Sequence, residues 1–123
     1  LVYGPLAHGL LGGSFTPQTT FAADDWRSKS KDFHGEKFQR NVAVVEQLKR
    51  LASREGMTIA QLAIAWRLTQ PAIDVAIVGA RNPEQLEQTA LAGDKHLTQQ
   101  TLQEIERIMR EAVPVGGPAP EGM

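Results

Sequence analysis

The chain has no cysteine, which removes disulfide scaffolds, thiolate metal sites and cysteine nucleophiles together. No apolar run approaches the roughly 18–20 residues that a membrane span needs. The opening LVYGPLAHGLLGG also lacks the basic flank of a secretory signal. Neither sign of charge dominates: 13 Lys and Arg stand against 14 Asp and Glu, a formal net charge of -1. Neither a nucleic-acid-binding surface nor an acidic solvating tail is therefore expected. A soluble protein in the cytoplasm is the expected setting. The three histidines His8, His34 and His96 share no metal-ligand spacing. An initiating methionine is missing too, and LVYG already reads as a strand end. The chain is thus expected to be a piece of something longer.

What is present is 123 residues, 41% of them hydrophobic, the size and balance of one ordinary domain. Residues 5–36 are rich in Gly, Pro, Thr, Ser and Asp without a sustained period. They read as one long loop with a short helix near ADDWRSK, and loops of that length are usually functional. From Gly35 onward Phe38, Val42, Val45, Leu48 and Ala52 recur at spacings of three and four, a helix that stops before Gly56. Thr58 and Gln61 form a capping box, with Met57 and Leu62 as a hydrophobic staple, for a second helix closed by Pro71. Apolar residues cover nearly every side of that helix, so burial on more than one face is expected, with Trp66 in the core.

Ile73 to Val78, IDVAIV, has no polar alternation after Asp74 and reads as a parallel strand covered on both faces. Asn82 then caps a third helix, with Pro83 at its first position and Gln85 completing the box, running to Gly93. A last helix starts at Thr98 and carries Leu102, Ile105, Ile108 and Met109. The order strand, long loop, helix, helix, strand, helix, helix is part of an α/β sheet and leaves strand edges that must be covered. Residues 1–113 form this segment. Residues 114–123 are expected to be a disordered tail.

The chemistry concentrates where the strand meets the third helix, in IVGARNPEQLEQT. A strand passing through Gly79 into a helix that begins at Pro83 aims free N–H groups and the positive helix end beyond its carboxyl terminus. Arg81 adds a guanidinium suited to a phosphate. The plainer alternative is a tight turn at Gly79 and a solvated Arg81. Trp26, by the same reasoning, either shapes a pocket or pins the long loop. Asp74 and the mixed-charge run WRSKSKDFHGEKFQR read as solvated surface.

Two stretches together resemble the aldo-keto reductase family. YGPLAHGLLGG is similar to its Tyr-Ser-Pro-Leu-Ala-x-Gly-Leu-Leu-Thr-Gly loop, and IVGARNPEQLEQT to its Ile-Pro-Gly-Ala/Ser-Arg/Lys signature and the helix after it. The resemblance covers about Val2 to Ala112. It implies an α/β fold, the C-terminal portion of a (β/α)8 TIM barrel with strands seven and eight and their helices, incomplete in isolation. It also implies NADPH as cofactor. Tyr3 would stack on the nicotinamide, and the backbone of Gly4, Leu6, His8, Gly9 and Leu10 would wrap the pyrophosphate. Gly79 and Ala80 would offer N–H groups, Arg81 and Gln85 would meet the 2′-phosphate and ribose, and Gln88 and Thr89 would contact the adenine.

Several residues depart from the family pattern: Val78 replaces a usual proline, Gly12 and Ser14 replace Thr and Lys, and Gln88-Thr89 replace Glu-Asn. The family's Asp, Tyr, Lys and His catalytic tetrad belongs to earlier strands, so no catalytic residue is carried over. The implied activity is reduction of small aldehydes or ketones, with the remainder of the barrel or self-association covering the strand edges. The alternatives are a non-catalytic NADPH-binding sensor or channel auxiliary subunit of the same fold, and a small helical interaction module.

Overall fold

The computed structural model describes residues 1–118. Strand β1 (Val2–Tyr3) lies parallel to β2 (Ala76–Ile77), with Val2 opposite Ala76 and Tyr3 opposite Ile77. Four α-helices follow the expected order: α1 (Gly35–Arg54), α2 (Ile59–Leu68), α3 (Pro83–Ala90) and α4 (Gln99–Met109). The long loop after β1 is built from 3-10 turns at Ala7–Gly12, Trp26–Lys29 and Lys31–Phe33, the second of them where a short helix was expected.

Local chemistry accounts for the helix boundaries. At Gly56 the backbone turns left-handed (φ 72°) while the Met57 N–H bonds the Ala52 carbonyl, which terminates α1. Two residues later the capping box is complete. The Thr58 hydroxyl accepts from the Gln61 N–H at 3.1 Å, and the Gln61 side chain accepts from the Thr58 N–H at 3.0 Å. The apolar stripe of α1 then packs on α2 and α4, burying Phe38, Val42, Val45, Leu48 and Ala52 with Leu62 and Ile105. Burying a side chain such as Leu62 contributes about 1.5–3 kcal/mol.

Three expectations need correction. The ladder in β2 spans only Ala76–Ile77, extended by one bond from the Val2 N–H to the Val75 carbonyl, instead of Ile73–Val78. Val75 and Ile77 are also 47% and 52% exposed, not covered on both faces. A two-stranded sheet supplies only one neighbour, so pairing extends no further than β1, while α2 covers just one side. Helix α3 stops at Ala90 and continues as a 3-10 turn, Leu91–Asp94, that places Ala92 in the core beside α2. Trp66 packs against the core as expected while remaining partly buried, with the Arg67 guanidinium 5.2 Å over its ring.

The region expected to be tail lies partly outside the described residues. Within them, Val115 packs against the core and the Gly116 N–H donates to Asp32.

Candidate functional site

The strand register decides what can meet. Because Tyr3 pairs with Ile77 in a parallel ladder, the chain leaves both strands side by side at their carboxyl ends. The glycine-rich loop and the Gly79–Arg81 exit therefore start from one place. Tyr3, at the end of β1, has its ring largely free, with 57% of the residue exposed.

The first loop makes an unusual backbone. Gly4 is left-handed (φ 63°), and so are Ala7 (φ 50°), His8 (φ 57°) and Gly9 (φ 97°), the non-glycine pair costing about 1–3 kcal/mol each. Such strain persists only where surroundings impose it, and here they do. Arg27 donates from Nη1 to the His8 carbonyl at 2.8 Å. Its Nε and Nη2 grip the Asp25 carboxylate at 3.0 and 2.6 Å, while the guanidinium carbon stands 4.7 Å over the Phe21 ring. A methyl group at Gly9 would press on Arg27 Nη1 and Phe15. The Leu6 carbonyl accepts from the Gly9 and Leu11 N–H groups, and the Leu10 side chain is buried.

Trp26 pins this loop. Its ring meets His8 edge-on at 5.0 Å and Phe33 at 5.6 Å, and contacts continue through Phe21 to Phe15. In the charge run expected to be a solvated face, Arg27 and Asp32 are only about a fifth and a quarter exposed, and Phe33 and Phe38 are buried.

The exit of β2 is built differently. Gly79, Ala80 and Arg81 are exposed, and the N–H groups of Gly79 and Ala80 have no backbone partner among the described residues. The Asn82 side chain caps α3 by accepting from the Gln85 N–H at 2.9 Å. Gln85 does not close the expected box; its carboxamide oxygen accepts from the Arg81 N–H instead, at 2.9 Å. The oxygen reaches one residue upstream of the cap, which fixes the backbone at Arg81. On the same helix, the Gln88 carbonyl accepts from buried Gln61, and the Thr89 hydroxyl donates to the Gln85 carbonyl.

Electrostatics link the two stretches. The Asp25 carboxyl is lowered from 3.8 to about 2, chiefly by the side chain and then the N–H of Arg27, and Arg81 adds a smaller Coulombic pull in the same direction. A cavity of about 420 Å³ lies among apolar side chains of α1, α2 and α4, bordered also by Gly4, Ala7 and Leu10 of the first loop and by Val113 and Val115, and none of residues 79–89 lines it.

Sequence reasoning missed Asp25, Arg27 and buried Asn41. An Asp two residues before an Arg in a loop rich in phenylalanine was the available signal for the first two.

The chain is similar to known proteins over most of its length. The chain is 37% identical over 119 residues to aldo-keto reductase YhdN of Bacillus subtilis, covering 94% of this chain and 36% of that protein. It is 29% identical to aldo-keto reductase yakc [NADP(+)] of Schizosaccharomyces pombe, over 98% of this chain and 35% of the relative. A putative voltage-gated potassium channel subunit beta from the same yeast is 28% identical, over 88% of this chain and 33% of its own. Among solved structures, the glycerol dehydrogenase AKR11B4 from Gluconobacter oxydans superposes with a TM-score of 0.84 at 31% identity, covering 98% of this chain and 36% of that one. The chain thus spans about a third of the length of the relatives it matches. With the aldo/keto reductase family profile matching residues 1–110, the α/β chain described here belongs to that family.

Proposed function

We propose that this chain is the C-terminal part of a (β/α)8 barrel and supplies the NADPH cradle of an enzyme that reduces small aldehydes or ketones. Residues 1–113 would form the barrel segment, in a cytoplasmic protein. Val75 and Ile77, half exposed, would be covered by the remainder of the barrel or by self-association.

The observation that carries the reading is the convergence of a left-handed backbone turn and an exposed guanidinium at the ends of paired parallel strands. The donor set fits the cofactor. Free N–H groups at Gly79 and Ala80 suit a phosphate, and Arg81 suits the 2′-phosphate that distinguishes NADPH from NADH. The exposed Tyr3 ring suits a flat nicotinamide, and the turn through Gly4, Leu6, His8, Gly9 and Leu10 suits the pyrophosphate. Gln85 keeps its amide nitrogen for the ribose, and Gln88 and Thr89 lie further along α3 toward the adenine. When bound, NADPH supplies the hydride, and this segment binds and orients it.

The test is a titration of the intact protein and its Arg81→Ala variant with both nucleotides. NADPH affinity should fall about tenfold, the scale of one lost charge-assisted contact, with little change for NADH. An equal loss of both would sink the phosphate assignment. A second reading, a non-catalytic NADPH-binding sensor or channel subunit, draws on the similarity to the yeast channel subunit. Measured carbonyl reduction separates the two.

A further inference from the structure

Residues 111–117, after α4, fold back along α1 and reach the loop that carries the proposed pyrophosphate cradle. Asn41, 3% exposed, makes a reciprocal pair with one residue of this segment: its amide donates to the Val113 carbonyl at 2.9 Å and its oxygen accepts from the Val113 N–H at 2.7 Å. One residue earlier on α1, Arg40 donates to the Glu111 carbonyl at 2.8 Å. Val115 then packs on the core, the Gly116 N–H donates to the Asp32 carboxylate at 2.9 Å, and Gly117 lies so close to the His8 imidazole that a methyl group there would overlap the ring.

We infer that residues 113–117 act as a positioning strap, anchored by Asn41, that braces the strained His8 turn and so sets the affinity of the dinucleotide site. This deepens the proposed function and rests on it for the ligand. Three features of the segment support it. The Asn41 pair satisfies both polar groups of Val113 with one buried side chain, so breaking it leaves polar groups without partners. The strap meets the cradle at His8, where Gly117 lies against the imidazole. His8 itself is held at φ 57° by Arg27 on its carbonyl, by Trp26 on one side of its ring and by Gly117 on another. Loss of one support allows the turn to relax toward ordinary backbone, which moves the peptide groups that the pyrophosphate requires.

Two variants of the intact protein test this without disturbing the buried Asn41. One ends after Val115, removing the contacts of Gly116 and Gly117. The other is Gly117→Val, whose side chain cannot fit against the ring. Affinity for NADPH and for NADH should fall together by roughly threefold to tenfold, with their ratio unchanged. Amide hydrogen exchange across residues 6–12 should quicken in both variants without any nucleotide. Unchanged exchange in that stretch overturns the strap, and so does a loss confined to NADPH, which would place the effect at the ribose phosphate. If the unaltered protein binds neither nucleotide, the proposed function fails, while the exchange comparison still decides the strap.

Discussion

The two stretches that meet at the strand ends are held in opposite ways. The loop after β1 is fixed by contacts made at a distance in the chain: Arg27 on the His8 carbonyl, an aromatic series from Trp26 to Phe15, and Asp32 receiving Gly116. The exit of β2 is fixed only by its own neighbours, Asn82 and Gln85 each bonding within four residues, and it lies exposed. One side is a strained loop held by contacts within the fold. The other is an exposed edge where the Gly79 and Ala80 N–H groups have no backbone partner among the described residues. Stability should therefore reside in the first and ligand discrimination in the second, and substitutions can set the two apart.

The largest effect should come from Phe33→Ala. Phe33 is 1% exposed and joins the loop aromatics to α1 through Phe38, so its loss should destabilise the protein by about 3–5 kcal/mol in denaturant titration. Next is Arg27→Met, which keeps bulk but removes the charge-assisted bond to the His8 carbonyl. It should cost about 2 kcal/mol and weaken binding of NADPH and NADH alike. A loss of less than about 0.5 kcal/mol, the level of an ordinary surface change, would mean that the strained turn holds itself.

On the other side, Arg81→Ala should leave stability within about 0.5 kcal/mol of the unaltered protein while reducing NADPH affinity selectively. Asn82→Ala removes a cap from a helix that buries no residue, so about 1 kcal/mol or less is expected in thermal unfolding. If that substitution cost as much as Arg27→Met, the contrast between the two stretches would be wrong.

What the sequence made legible follows the same division. The caps at Thr58, Asn82 and Thr98 and the stripe on α1 were readable because each partner lies within a turn of its residue. The family was readable because two glycine-bearing stretches together resemble its pattern, and the family profile matches residues 1–110. Arg27 reaching His8 across 19 residues and Asn41 reaching Val113 across 72 were not readable, since only the folded path of the chain brings those groups together. The same holds for Gln85: a box was the local solution, and the geometry at Arg81 supplied a different partner. Strand length was misjudged for a related reason, because pairing depends on a neighbour that composition does not reveal.

The smallest and most specific test concerns acid. Asp25 titrates near 3.8 when unfolded and at about 2 in the folded loop, with Arg27 as the main cause. Between those values the unfolded chain binds the extra proton, so stability must fall as pH falls. The contribution is complete above about pH 4 and lost as pH drops through about 2. Acid unfolding followed from pH 5 to pH 2 should therefore be shallower in Asp25→Asn than in the unaltered protein. The difference should shrink in an Arg27→Met background, because the guanidinium is gone while the N–H of residue 27 still donates to the carboxylate. Arg81→Ala should change the slope only slightly, Arg81 being the weakest of the contributors. A large change there would show that the open edge helps to hold the cradle, and the division between the two stretches would have to be redrawn.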